Sequence, residues 1–109
     1  MHVTTRIRIA KEKNFLGKGV RELLDAIEAE HSIKQATLQT GISYPKALRM
    51  IHTLEEELGF AVVISEKGGS THGSTCLTPQ GKEVLENYRT IEHKVEQYAQ
   101  QLVNETFLF

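Results

Sequence analysis

Apolar positions along the chain alternate with period two in one early stretch and recur at helical spacing in most of the rest. Between residues 4 and 10, Thr5, Ile7 and Ile9 alternate with Arg6, Arg8 and Ala10, the pattern of a half-buried strand. Residues 14–19 hold Gly17 and Gly19 and read as a turn. Val20, Leu23, Leu24 and Ile27 then predict an amphipathic helix over 18–30. Ser32 followed by Gln35 is a capping box that starts a second helix at Ile33, and Gly41 supplies its stop. Ser43 is a good N-cap for a third helix, with Pro45 in the first turn, where a missing N–H costs nothing. That helix runs to about Leu58 and ends at Gly59. Ala47, Ile51, Leu54 and Leu58 give it one buried face, and Lys46, Arg49, Met50 and Thr53 are placed on the other.

The remainder predicts a hairpin and a long helix. Residues 61–66 are a β-branched run suited to a strand. Residues 67–74 form a polar, glycine-rich loop, and 75–78 return as a second strand. Thr78 as N-cap and Pro79 in the first turn open a last helix running to about Asn104, on the order of 40 Å at 1.5 Å per residue. Along it Val84, Tyr88, Ile91, Val95, Tyr98 and Leu102 recur at alternating spacings of four and three, an a/d seam of the kind that faces another helix. Over residues 32–51, two helices joined by a tight glycine turn, with a basic, acid-free second helix, form the layout that sets a helix in the DNA major groove. The expected fold is α+β: a winged helix-turn-helix with an N-terminal strand, a three-helix core, a two-stranded wing and a long C-terminal dimerisation helix. Its expected division is a DNA-binding unit at 1–78 and a pairing helix at 79–109.

Composition adds limits. The 109 residues suffice for one domain with a modest core, and 39% hydrophobic and 25% charged residues argue against wholesale disorder. The longest apolar run, 60–64, is too short to span a bilayer, and the N-terminus lacks an apolar leader. A lone cysteine, Cys76, fits a reducing compartment, so a cytoplasmic location is expected. The net charge of −1 is unusual for a nucleic-acid binder, but the charges are polarised. Residues 1–21 carry Arg6, Arg8, Lys11, Lys13, Lys18 and Arg21 against Glu12, and residues 31–54 carry no acid. Residues 83–105 carry Glu83, Glu86, Glu92, Glu96 and Glu105 against Arg89 and Lys94, and a polarised surface can bind phosphates at near-zero total charge.

These residues carry a resemblance. Residues 32–59 are similar to the LysR-type helix-turn-helix, with Ile-Ser-x-Pro at 42–45, Leu-Glu-Glu-Glu-Leu-Gly at 54–59 and Leu-Thr-Pro-x-Gly at 77–81. The chain resembles more closely the DNA-binding domain of the molybdenum-dependent regulator (ModE) family. An N-terminal strand and Leu-Gly-Lys-Gly at 16–19 precede the first helix, Gly-Ile-Ser-Tyr at 41–44 opens the recognition helix, and a glycine-rich wing spans 67–78. Members of that family carry C-terminal molybdate-binding domains. The chain ends at Phe109 without one, so the resemblance implies a stand-alone DNA-binding dimer and no molybdate sensing.

The expected function is sequence-specific binding of double-stranded DNA by a homodimeric transcription regulator on an operator. Lys46, Arg49, Met50 and Thr53 are candidate base readers, with Ser43 and Tyr44 near phosphates at the helix start. Lys34 and Gln35 on the preceding helix, and Lys67, Ser70, Thr71 and His72 in the wing, are candidate phosphate contacts. The basic N-terminal residues are weaker candidates for the same role, because exposed strand residues often simply face solvent. The dimer interface is assigned to Val84, Tyr88, Ile91, Val95, Tyr98 and Leu102. No cofactor or metal is expected: His2, His31, His52, His72, His93 and Cys76 lack ligand spacing. No catalytic constellation stands out, and Glu55, Glu56 and Glu57 read as a solvated helix face. Two other readings share the pattern, a winged helix used for protein docking and an antagonist that dimerises with a larger regulator. Salt dependence separates the first, because counterion release weakens DNA binding steeply with salt. A monomer by light scattering would favour the second.

Overall fold

The computed structural model describes residues 1–66 and 74–109. In chain order its elements are β1 (Ile9–Ala10), β2 (Asn14–Leu16), α1 (Lys18–Glu30), α2 (Ile33–Thr40), α3 (Tyr44–Leu58), β3 (Val63–Glu66), β4 (Ser74–Leu77) and α4 (Pro79–Thr106). β1 pairs with β2, and β3 with β4, both antiparallel. Three short helices, a hairpin and a long last helix make the winged helix-turn-helix of the α+β class that the pattern predicted.

The caps explain the helix limits. Ser32 Oγ accepts from the Gln35 amide at 3.1 Å and Ser43 Oγ from the Lys46 amide at 3.3 Å. Thr78 Oγ1 accepts from the Gly81 amide at 2.9 Å. α2 and α3 stop at Gly41 (φ 75°) and Gly59 (φ 81°), left-handed positions that favour glycine. α1 stops at His31, which takes φ 54° without that freedom. Its amide donates to the Ile27 carbonyl and its carbonyl accepts from Thr75, each at 2.8 Å, so the unfavourable conformation ties α1 to the wing.

One apolar cluster joins the elements. Leu23, Leu24 and Ile27 of α1 meet Ala36 of α2, Ala47, Ile51 and Leu54 of α3, Val62, Leu77 and, from α4, Leu85 and Tyr88. Charged groups add a seam between α1 and α4. Arg89 pairs with Asp25, and Arg21 reaches Asp25 at 3.0 Å and Glu92 at 3.1 Å.

Several expectations change. Residues 14–16 form β2 and not a turn, because Phe15 and Leu16 are apolar and bury beside α1; Gly17 instead precedes the start of that helix. The early strand is hydrogen-bonded as such only at Ile9–Ala10, yet Val3, Thr5, Ile7 and Ile9 remain half-buried while their neighbours are exposed. The partner of this arm is a helix. Tyr88 Oη donates to the Ile7 carbonyl at 2.7 Å, while Gln100 accepts from the Val3 amide at 2.9 Å and donates to the Met1 carbonyl at 3.0 Å. Tyr88 is therefore removed from the predicted dimer interface: it is fully buried in the chain's own core. Burial also raises its phenol above the ordinary tyrosine range, with Glu92 adding and Arg21 opposing, so it remains a donor at neutral pH. Val84 packs on the same core, whereas Ile91, Val95, Tyr98 and Leu102 are exposed.

The start of α4 explains the Thr-Pro-x-Gly spacing. The Thr78 amide donates to the Val62 carbonyl at 2.9 Å and its hydroxyl to the Ala61 carbonyl at 2.8 Å. A β-carbon on Gly81 would lie 2.2 Å from the Val62 carbonyl oxygen, so only glycine fits. Beyond Tyr88 the helix outruns the core. The radius of gyration is 16.4 Å, against about 13 Å for a compact chain of this length.

Gly81→Ala forces backbone apart and is expected to cost at least ~1–3 kcal/mol in urea unfolding. Tyr88→Phe leaves the Ile7 carbonyl without its donor and is expected to cost about 1 kcal/mol, with faster amide exchange in residues 3–9.

Candidate nucleic-acid interface

The candidate interface is built on α3, the helix after the 41–43 turn. Its inner side is set by Ala47, Ile51 and Leu54, all buried. At roughly 100° per residue, the opposite side is centred on Pro45, Arg49, His52 and Glu56, with Lys46 and Thr53 on one flank and Leu48 on the other. Arg49 and Lys46 are exposed and Thr53 is half-buried. Met50 falls between Thr53 and Leu54, so it is half-buried and packs on the core. Its Cε lies 3.6 Å from where a β-carbon on Gly19 would stand. The sequence reading placed Met50 on the open face, and the structure moves it to the edge.

Ser43 and Tyr44 are exposed at the start of α3. The Ser43 hydroxyl accepts from Lys46, which leaves its proton free to be donated. Lys34 and Gln35 are exposed in the first turn of α2. Lys67, Ser70, Thr71 and His72 lie outside the described residues. Lys46, Arg49, Met50 and Thr53 share an open concavity of about 370 Å³ with Asn14, Phe15 and Val20, so β2 and α1 wall the flank of α3.

Besides Met50, two residues were missed or misread. His52, three positions beyond Arg49, is exposed and pairs with Glu56 at 3.1 Å. The same 3.6-residue arithmetic that singles out Arg49 finds it. Glu55 is not part of a solvated face: its Oε2 accepts from the Val62 amide at 2.7 Å and the Val63 amide at 3.3 Å, fixing the start of β3 to α3. No spacing signal marks that role, because the partners are backbone groups.

The Cys76 thiol donates to Glu66 at 3.3 Å, and that hydrogen bond, with desolvation, pushes its pKa up and keeps it a thiol. Among the described residues no group of three or more His, Cys, Asp or Glu is placed to hold a metal ion, and no helix is long and apolar enough to cross a membrane.

No protein-family model matches the chain. Over 70 residues it is 36% identical to the molybdenum transport protein ModE of Azotobacter vinelandii and 34% identical to the molybdenum-pterin-binding protein MopB of Rhodobacter capsulatus. Each match covers 64% of this chain and 26% of the relative, so the chain spans about a quarter of the length of these curated relatives. The BenM DNA-binding domain in its complex with benA site 1 DNA superposes with a TM-score of 0.56 at 26% identity, covering 78% of this chain and 89% of that one. Full-length BenM gives a TM-score of 0.52 at 28% identity, covering 75% of this chain and 25% of that one. The resemblance to ModE and to LysR-type helix-turn-helix domains, read first from residues 16–19, 32–59 and 67–81, is borne out.

Glu55→Ala strands two wing amides and is expected to cost ~1–3 kcal/mol in denaturant unfolding. Glu56→Ala, one position along on the open side, should change stability by less than about 0.5 kcal/mol in the same assay.

Proposed function

We propose that the chain reads double-stranded DNA as the DNA-binding part of a transcription regulator, working as a homodimer on an operator. The observation that carries this reading is the exposed side of α3. A cationic, acid-free helix start sits behind a tight turn, on a fold similar to the BenM domain whose complex with benA site 1 DNA is known. In this reading Arg49 reaches a base edge, where its forked guanidinium suits the two acceptors of guanine. Thr53 offers a methyl group to thymine, and Lys46 and Tyr44 border the same groove. Ser43 donates to a phosphate while it caps α3. Lys34 and Gln35 contact the adjoining backbone, which positions the helix without reading sequence. Glu56, one turn beyond His52, repels phosphate at the far end of α3 and biases contact towards the helix start.

Residues 1–78 act as the reading unit and α4 as the pairing element. The first turns of α4 are shared with the core through Leu85 and Tyr88. Pairing rests on the outer stretch, where Ile91 is 40% exposed, Val95 42%, Tyr98 62% and Leu102 44%. Such a row is costly to leave in water and matches itself across a twofold axis. Two paired subunits would present α3 to successive major grooves about 34–36 Å apart, or a multiple of that.

Fluorescence anisotropy with randomised and promoter duplexes at two salt concentrations tests the reading. Salt-sensitive binding with selection of an inverted repeat is expected, and absence of binding at low salt would overturn it. Arg49→Ala should lose ~1–3 kcal/mol on the preferred duplex and relax selection at one base pair. Val95→Glu should shift the light-scattering mass from dimer to monomer; an unchanged mass would remove α4 as the pairing surface.

A further inference from the structure

A second basic surface adjoins α3, and its residues come from three separate parts of the chain. Arg6 and Arg8 of the N-terminal arm, Lys18 at the start of α1 and Lys46 of α3 wall an open cavity of about 540 Å³. We infer that this cleft seats a phosphodiester of the duplex beside the groove that α3 enters, so that the N-terminal arm is part of the DNA-binding surface. The inference rests on the DNA-reading function proposed above.

Four observations carry it. First, Arg6 and Arg8 are two residues apart on extended chain, so both side chains leave from the same exposed edge. Second, the opposite edge of that arm is held: Ile7 and Ile9 pack on the core and the Ile7 carbonyl accepts from Tyr88. The guanidinium groups therefore project from an anchored segment, and less ordering remains to be done on binding. Third, the floor of the cleft is the first turn of α1. Gly17 caps it without a side-chain hydrogen bond, and the turn holds no acidic residue. Gly17 to Val20 line the cleft, which brings the positive end of the α1 dipole to its floor. Glu22 is the carboxylate on the rim, and it is half-buried and 3.9 Å from Lys18, a pairing too weak to neutralise the site.

The fourth observation selects the source of the anion. Lys46 lines this cleft and also the concavity along Arg49 and Thr53. A ligand in the cleft is thus continuous with whatever lies against α3, as a DNA backbone would be. Free inorganic phosphate has the same chemistry, and the experiment separates the two.

The test uses the full chain and an Arg6→Gln/Arg8→Gln variant, titrated against preferred and randomised duplexes over a series of salt concentrations. The expected result is weakening by a similar factor on both duplexes, an unchanged preference between them, and a salt slope lower by about 1 per charge removed. If the double variant melts below the wild type, Lys18→Gln replaces it, with an expected slope change of about 1. An unchanged affinity and slope, while Arg49→Ala still weakens the preferred duplex, would overturn the cleft and leave the DNA-reading function standing. Absence of wild-type binding would overturn both. A rise in wild-type melting temperature with inorganic phosphate, lost in the variant while duplex binding is unchanged, would reassign the cleft to a free anion and overturn the inference.

Discussion

The contact of the Val62 carbonyl with the backbone of Gly81 governs how this molecule is put together. At that point the chain leaving α3 touches the chain entering α4, with no side chain between them. Thr78 closes the junction from one side through its amide and hydroxyl, and Glu55 closes it from the other by taking the amides of Val62 and Val63. α3, the wing and α4 therefore share one rigid corner. The direction of α4 follows from the corner, and the ion pairs of Arg21 and Arg89 with Asp25 and Glu92 hold it against α1. In a dimer paired through α4, the separation of the two α3 helices would be set by this corner and not by a flexible hinge.

Charge is divided in the same economical way. The chain is slightly acidic, yet acids at the α1–α4 seam are engaged with arginines, which leaves the arm and the start of α3 cationic. Net charge was thus a poor guide to the surface field, and the positions of the acids were a better one.

Where local chemistry decides the structure, the sequence was legible. Ser32, Gly41, Ser43, Gly59 and Thr78 set helix ends through their own hydroxyls or their tolerance of positive φ, and these limits were read to within a residue or two. What was not legible depends on partners distant in the chain. The alternation from Thr4 to Ala10 was read as a strand, and the burial does alternate, but only Ile9 and Ala10 pair with a neighbouring strand, while hydrogen bonds with Tyr88 and Gln100 hold the chain before them. Tyr88 fits the a/d seam by spacing alone and is claimed by the core because the arm crosses α4 there. Met50 shows the limit of a two-sided helix reading: a residue at the boundary between faces packs wherever its neighbours leave room, here towards Gly19. Glu55 was misread because its partners are backbone amides, which leave no trace in composition.

The arm has a further consequence for the ends of the chain. Met1 is tied to Gln100, less than two turns before α4 ends at Thr106. Residues 1 and 106 thus lie near each other, towards the tip of the projecting helix. A short linker between them would make a closed ring, and the chain could be reopened in a surface turn with its core connections intact. Anything grafted ahead of Met1 would leave from the Gln100 side of α4, across the helix from the exposed row of Val95, Tyr98 and Leu102.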